Sequence, residues 1–304
     1  MAVGTASCLM LVWFWDTVNE FDGQKHSVVF FLLTTTLALV DCTSSVLYLP
    51  FVAHFEVDYV RPLLVGEGLS GFIPSIASLV QGVGGNPTCE EKWDTLANGT
   101  RVRKIVAVYS EPRYSVAAFF GFLTFLMLSS WVAYAAINYF DFANDARVDE
   151  NRRKPATETT DLNSVIDYTG MSKTRFLFLL TTQSYICGLM NGVIASISTY
   201  STLPYGNLTY HIATNFSVMS GPVAAFLVFS IHRKKKYQKP IIPLTIIGTI
   251  TSIYIIYVAA SSPHTPLQGT NIGSILIVGI WLIYHGSFSY VKVSRAFACI
   301  KFKN

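Results

Sequence analysis

The 304 residues are 51% hydrophobic and 14% aromatic, and only 13% are charged, with a formal net charge of +4. Soluble domains carry about 25% charged residues, so too few charges exist here to cover a water-soluble globule of this length. The apolar residues are gathered into long uncharged runs, which places the chain in a lipid bilayer and predicts no nucleic-acid partner.

The first run, 3–15, is shorter than the roughly 17 residues that a membrane span needs. No basic region precedes it and no small-residue cleavage site follows, so it reads as an incomplete helix rather than a signal peptide. Runs 27–53 and 62–84 are long enough to span, but each is interrupted by one carboxylate, Asp41 and Glu67. A carboxylate is costly in hydrocarbon, so these two helices are expected to face protein or a water-filled cavity. Five further runs, 114–140, 176–199, 212–231, 241–260 and 272–291, hold no charge and come close to or exceed the ~20 residues of a full span. The expectation is an all-α, polytopic transmembrane helix bundle of eight segments, the first incomplete.

Between the fourth and fifth segments, 141–175 is polar, mixed in charge and poor in aromatics, so it is expected to be a flexible linker. It divides the chain into N-terminal membrane helices, 1–140, and C-terminal membrane helices, 176–304. Two groups of four suit a carrier whose halves rock against each other. Most of the 22 Lys and Arg fall on one side of the predicted spans, in the linker and in clusters such as Arg233 to Lys236. By the positive-inside rule that side is cytosolic, together with the N-terminal end and the C-terminal tail. The Asn98-Gly99-Thr100 sequon then lies outside, which makes Asn98 the expected glycosylation site.

The five cysteines, at 8, 42, 89, 187 and 299, have neither a disulfide framework nor metal-ligand spacing. No nucleophile with a base, no metal-ligand cluster and no Gly-rich phosphate loop stands out, so neither an enzyme nor a cofactor is expected. The informative residues are polar groups inside apolar spans. Asp41 begins Asp41-Cys42-Thr43-Ser44-Ser45; it is expected to be proton-sensitive or paired, whereas the hydroxyls suit helix packing. Gly66-Glu67-Gly68-Leu69-Ser70-Gly71 before Pro74 admits two readings. Either the helix breaks and offers Glu67 and Ser70 to a ligand, or glycines line a close helix crossing. Gln183 and Asn191 lie eight residues apart, nearly on one helical face, and Tyr205, His211 and Asn215 surround the start of the sixth segment. Tyr284, Phe288 and Tyr290 can stack on an aromatic ligand or serve as interfacial anchors.

In these same stretches the sequence resembles the animal riboflavin (vitamin B2) transporter family of solute carriers. The likeness is carried by LALVDCTSSVLYLPF at 37–51, GEGLSGFIPSIASLVQG at 66–82, Asn191-Gly192-Val193, LPYGNLTYH at 203–211 and GSFSYVKV at 286–293. It implies an eleven-helix plasma-membrane carrier with a cytosolic N-terminus and a long central cytosolic loop. The eight segments here would be its third to tenth helices, so the chain is expected to be truncated at both ends. Riboflavin is then the transported solute. Its contacts are expected to centre on Asn191, with Thr43, Glu67, Ser70, Gln183, Tyr205 and His211 as further candidates. A non-transporting membrane isoform and a carrier of another polar solute such as a nucleoside are the alternatives. Oligomeric state is left open.

Overall fold

Uncharged apolar runs leave the backbone no water to bond, and a helix satisfies its polar groups within the segment. The computed structural model describes residues 1–21, 24–52, 55, 60–95, 101–140, 172–232 and 240–301. The helices are α1 (Ala2–Phe14), α2 (Val28–Val52), α3 (Val60–Gln81), α4 (Val116–Tyr139), α5 (Lys173–Cys187), α6 (Ile194–Ser196), α7 (Ser198–Thr202), α8 (Asn207–His232), α9 (Ile241–Ala260) and α10 (Asn271–Lys301). Among the described residues five helical stretches are long and apolar enough to cross a membrane: Val116–Tyr139, Leu177–Ser196, Asn207–Val228, Ile241–Ala260 and Asn271–Arg295. They coincide with the five uncharged runs of the sequence. The other three expected segments also form helices, α1, α2 and α3.

Two strand pairs depart from the all-α expectation. Strands β1 (Asn19–Phe21) and β2 (Gln24–His26) pair antiparallel, as do β3 (Thr88–Thr95) and β4 (Arg101–Val108), the latter from Thr88↔Val108 to Thr95↔Arg101. The segment Arg101-Val102-Arg103-Lys104-Ile105-Val106-Ala107-Val108 is rich in β-branched residues, which fit a pleated surface. Three of its first four residues are basic. Arg103 lies 3.0 Å from Glu91 and stacks over Trp93 at 5.5 Å, so the charges serve as cross-strand partners.

Contacts divide the chain into two compact units, Met1–Leu63 with Arg113–Glu158, and Leu64–Pro112 with Thr159–Asn304. In the first unit α1 packs on α2 and α4. Ser115 caps α4, its Oγ accepting from the Ala118 amide at 3.1 Å. No residue of α4 is buried, although Phe125, Val132 and other apolar side chains cover it. An apolar helix exposed all round is the composition that lipid solvates.

In the second unit α3 runs unbroken through Pro74 and ends at Gly82, whose φ of +77° is a left-handed conformation suited to glycine. Of the two readings of its glycines, the close crossing is the one seen. A Cβ at Gly68 would lie 3.1 Å from Pro222 Cγ and one at Gly71 would lie 2.7 Å from Val218 Cγ1, both on α8. After α5 the chain winds as a π-helix over Gly188–Val193 before α6, α7 and a short 3-10 turn, Leu203–Tyr205. The core of this unit lies where α5, α6, α8, α9 and α10 meet, and includes Ile186, Ile194, Ile255, Trp281, Tyr284 and Phe288.

Lipid tails are as apolar as these side chains, so close packing through small residues holds such helices together. Gly248 of α9 shows this best, since a Cβ there would lie 2.5 Å from Phe288 Cε1. Gly248→Ala should therefore lower stability by about 1 to 3 kcal/mol through overpacking. Gly66→Ala, where a Cβ would meet nothing within 4 Å, should leave the unfolding temperature of the detergent-purified protein unchanged or raised.

Candidate functional site

The second unit gathers most of the predicted polar residues, in three places. The first is the layer shared by α3, α8 and α10. Glu67 Oε1 of α3 lies 2.7 Å from Lys292 Nζ of α10, and both side chains are half-exposed. One helix over, His285 Nδ1 of α10 lies 3.3 Å from Ser220 Oγ of α8 and 3.3 Å from Ser289 Oγ. Ser220 also donates to the Ser217 carbonyl at 2.6 Å. With that hydroxyl proton committed, a ring proton on Nδ1 lets His285 donate to Ser220. The two backbones lie close here, since Cβ atoms at Gly221 and Gly286 would stand in ordinary contact, 3.6 Å from His285 Cε1 and Ser220 Oγ. Ser70 is turned to its own helix and donates to the Glu67 carbonyl at 2.7 Å.

The second place joins the end of α3 to the start of α8. His211 Nε2 lies 3.1 Å from Ser78 Oγ. Asn207 donates to the Gly85 carbonyl at 3.0 Å, and the Leu208 amide donates to Asn86 Oδ1 at 3.1 Å. Gly84 is buried under the His211 ring with no room for a Cβ. Nearby, the Tyr205 hydroxyl donates to the Pro266 carbonyl at 2.6 Å. His211 and Tyr205 therefore tie chain segments together here.

The third place is α5. Gln183 Nε2 lies 3.5 Å from Cys187 Sγ, and its Oε1 is buried with no partner among the described residues. Tyr185 shares a 3.1 Å hydrogen bond with Thr249 of α9. Asn191 sits in the π-helical turn and is exposed.

In the first unit, Asp41 and Thr43 lie on α2 and are exposed. Thr43 donates to the Leu39 carbonyl and Ser44 donates to the Asp41 carbonyl at 2.8 Å. Asn98 and most of the expected linker lie outside the described residues. The sequence reading missed His285, Ser289 and Lys292 as a group. Their spacing at i, i+4 and i+7 puts them on one face of an apolar helix, and that periodicity was the available signal.

The Glu67 and Lys292 pair can be tested by charge reversal. Half-exposed pairs are worth about 0.2 to 1 kcal/mol, so Glu67→Lys and Lys292→Glu should each lower the unfolding temperature, and the double reversal should recover most of the loss. Equal losses that simply add would mean that the two groups do not interact.

Comparison with known proteins places this arrangement in a lineage. The profile of the solute carrier family 52, riboflavin transporter, matches residues 1–301. Solute carrier family 52, riboflavin transporter, member 3 of Ailuropoda melanoleuca is 32% identical over 96% of this chain and 72% of its own length. The Homo sapiens member 3 is 30% identical over the same shares. Riboflavin transporter rft-1 of Caenorhabditis elegans is 32% identical, over 95% of this chain and 68% of its own. No solved structure matches the chain.

Proposed function

The chain belongs to the solute carrier family 52 riboflavin transporters, and on that premise we propose that it carries riboflavin across a membrane rather than catalysing a reaction. The observation that carries the reading is the family match along residues 1–301, which takes in all five helical stretches that, among the described residues, are long and apolar enough to cross a membrane. Chemistry agrees with it. Riboflavin joins a flat isoalloxazine ring to a neutral polyhydroxyl tail, and the second unit offers buried aromatic rings beside amides and hydroxyls. A nucleoside would use similar groups, and no relative named here is described as carrying one.

The finer reading is a plasma-membrane carrier whose eight segments form N-terminal helices 1–140 and C-terminal helices 176–304 around a cytosolic linker, 141–175. Basic clusters put the linker, the N-terminal end and the C-terminal tail in the cytosol. Glycosidase treatment should then increase the gel mobility of the protein through loss of a glycan at Asn98, and Asn98→Gln should abolish the shift. A glycosidase-insensitive parent whose position 235 is labelled from outside the cell would reverse this orientation.

Of the substrate contacts, Asn191 leads, because it is an exposed amide at an irregular turn, where π-helical winding often accompanies function. Thr43, Glu67, Ser70, Gln183, Tyr205 and His211 remain candidates, and Asp41 remains the proton-sensitive carboxylate. The deciding measurement is saturable uptake of radiolabelled riboflavin by cells expressing the protein, competed by unlabelled riboflavin and not by uridine. Absence of saturable uptake at normal surface expression would remove the carrier reading. An amide that loses its ligand partner costs about 1 to 3 kcal/mol, so Asn191→Ala should raise half-saturation by roughly five- to a hundredfold. Parental kinetics in that variant would take Asn191 out of the site.

A further inference from the structure

Two polar atoms on α10, one helical turn apart, are buried with no partner among the described residues. Trp281 and Tyr284 are 5% and 1% exposed, and neither Trp281 Nε1 nor Tyr284 Oη meets a hydrogen-bond partner among the described residues. A buried Trp N–H or Tyr O–H usually finds one, and an unmade hydrogen bond in such a place is costly. Phenylalanine at either position would supply an aromatic ring without that cost. Packing accounts for the rings, therefore, but not for the nitrogen and the hydroxyl.

The surroundings are aromatic. Trp281 and Tyr284 meet edge to face at 5.9 Å and 82°, and Tyr284 meets Phe288 in the same way at 5.4 Å and 75°. Phe288 in turn meets Tyr185 of α5 at 6.4 Å. Leu189 and Met190, which pack against this cluster, belong to the π-helical turn. A Cβ at Gly188 or Gly192 of that turn would meet nothing within 4 Å. The core cluster that holds the two donors thus also takes in part of the least regular winding of its span, and such winding is frequent at functional sites.

We propose that Trp281 Nε1 and Tyr284 Oη donate hydrogen bonds to the carbonyl oxygens of the flavin ring, so that this face of α10 selects a flat heteroaromatic solute with acceptors on its edge. The proposal rests on the reading of the protein as a riboflavin carrier. An indole N–H is a donor only, so its ligand partner must be an acceptor. The isoalloxazine edge carries two carbonyl oxygens and ring nitrogens of that kind, and the neighbouring rings provide faces and edges for it to stack on. In the packing seen here both donors are covered, so the ring reaches them only when the elements packed on this face of α10 move apart.

Trp281→Phe and Tyr284→Phe remove the donors and keep an aromatic ring. Riboflavin binding to the detergent-purified protein, read by quenching of flavin fluorescence, should weaken about five- to tenfold in each variant. Half-saturation of uptake should rise in parallel. The unfolding temperature of Tyr284→Phe should stay level or increase, because an unpaired buried hydroxyl has been removed, whereas that of Trp281→Phe should fall, because the smaller ring leaves a cavity. Lumiflavin, which keeps the ring and lacks the ribityl tail, should compete less well against both variants. Parental affinity in both variants would overturn the proposal, whatever their stability. A wild-type protein that neither binds nor takes up riboflavin would overturn the carrier reading and this proposal together, a result distinguishable because it appears before any substitution is made.

Discussion

Helix α10 is packed closely on two sides, and on the α9 side the fit requires a missing side chain. On α9, Gly248 leaves room for the ring of Phe288; on α8, Gly221 lies against His285, while Gly286 of α10 itself lies against Ser220. In a bilayer this constraint governs more than it would in water, because burial in lipid gives helices little reason to associate and close contact must provide it. The polar contacts follow from the same approach. His285 reaches Ser220 only because both backbones are near, and α3 comes against α8 through Gly68 and Gly71 in the segment that holds Glu67.

Most hydroxyls in the spans do not take part in this. Thr34, Thr36, Thr124, Ser129, Thr182, Thr245 and Ser252 each donate to a carbonyl one turn back on their own helix. A Ser or Thr satisfied in this way is polar in composition and close to apolar in effect. The contacts that cross between helices are therefore the informative ones, and among the described residues they include Ser78 with His211, Tyr185 with Thr249, His285 with Ser220, Lys292 with Glu67 and Arg295 with the Leu179 carbonyl.

This explains which parts of the protein were legible in its sequence. Uncharged length is a property of one segment alone, so the five strongest spans could be read directly, and their helices lie where the runs fall. Strand pairing between β3 and β4 depends on two segments and on their register, which neither segment discloses alone. For the site, Glu67 stood out as a carboxylate in an apolar run, but its partner Lys292 was not singled out. Nothing local to either residue discloses a pairing across 225 positions. Thr43 and Ser70 stood out for their hydroxyls, and both turn out to bond their own helix.

Helix α10 joins the two themes through its periodicity. At about 100° per residue, Trp281, Tyr284 and Phe288 fall on one face, while His285, Ser289 and Lys292 fall on the next, roughly a quarter-turn away. The first face belongs to the core with α5 and α9, and the second meets α8 and α3. Partners on the two faces are therefore different helices. A movement of α5 can uncover the aromatic face while the ion pair and the His285 contacts stay closed, and loosening of α3 can open the ion pair while the aromatic core stays packed. Among the described residues the two faces share no hydrogen bond or ion pair, so the effects of substitutions on them should approach additivity unless transport itself couples them. Additive effects on stability combined with non-additive effects on uptake would locate the coupling in the transport cycle rather than in the resting fold.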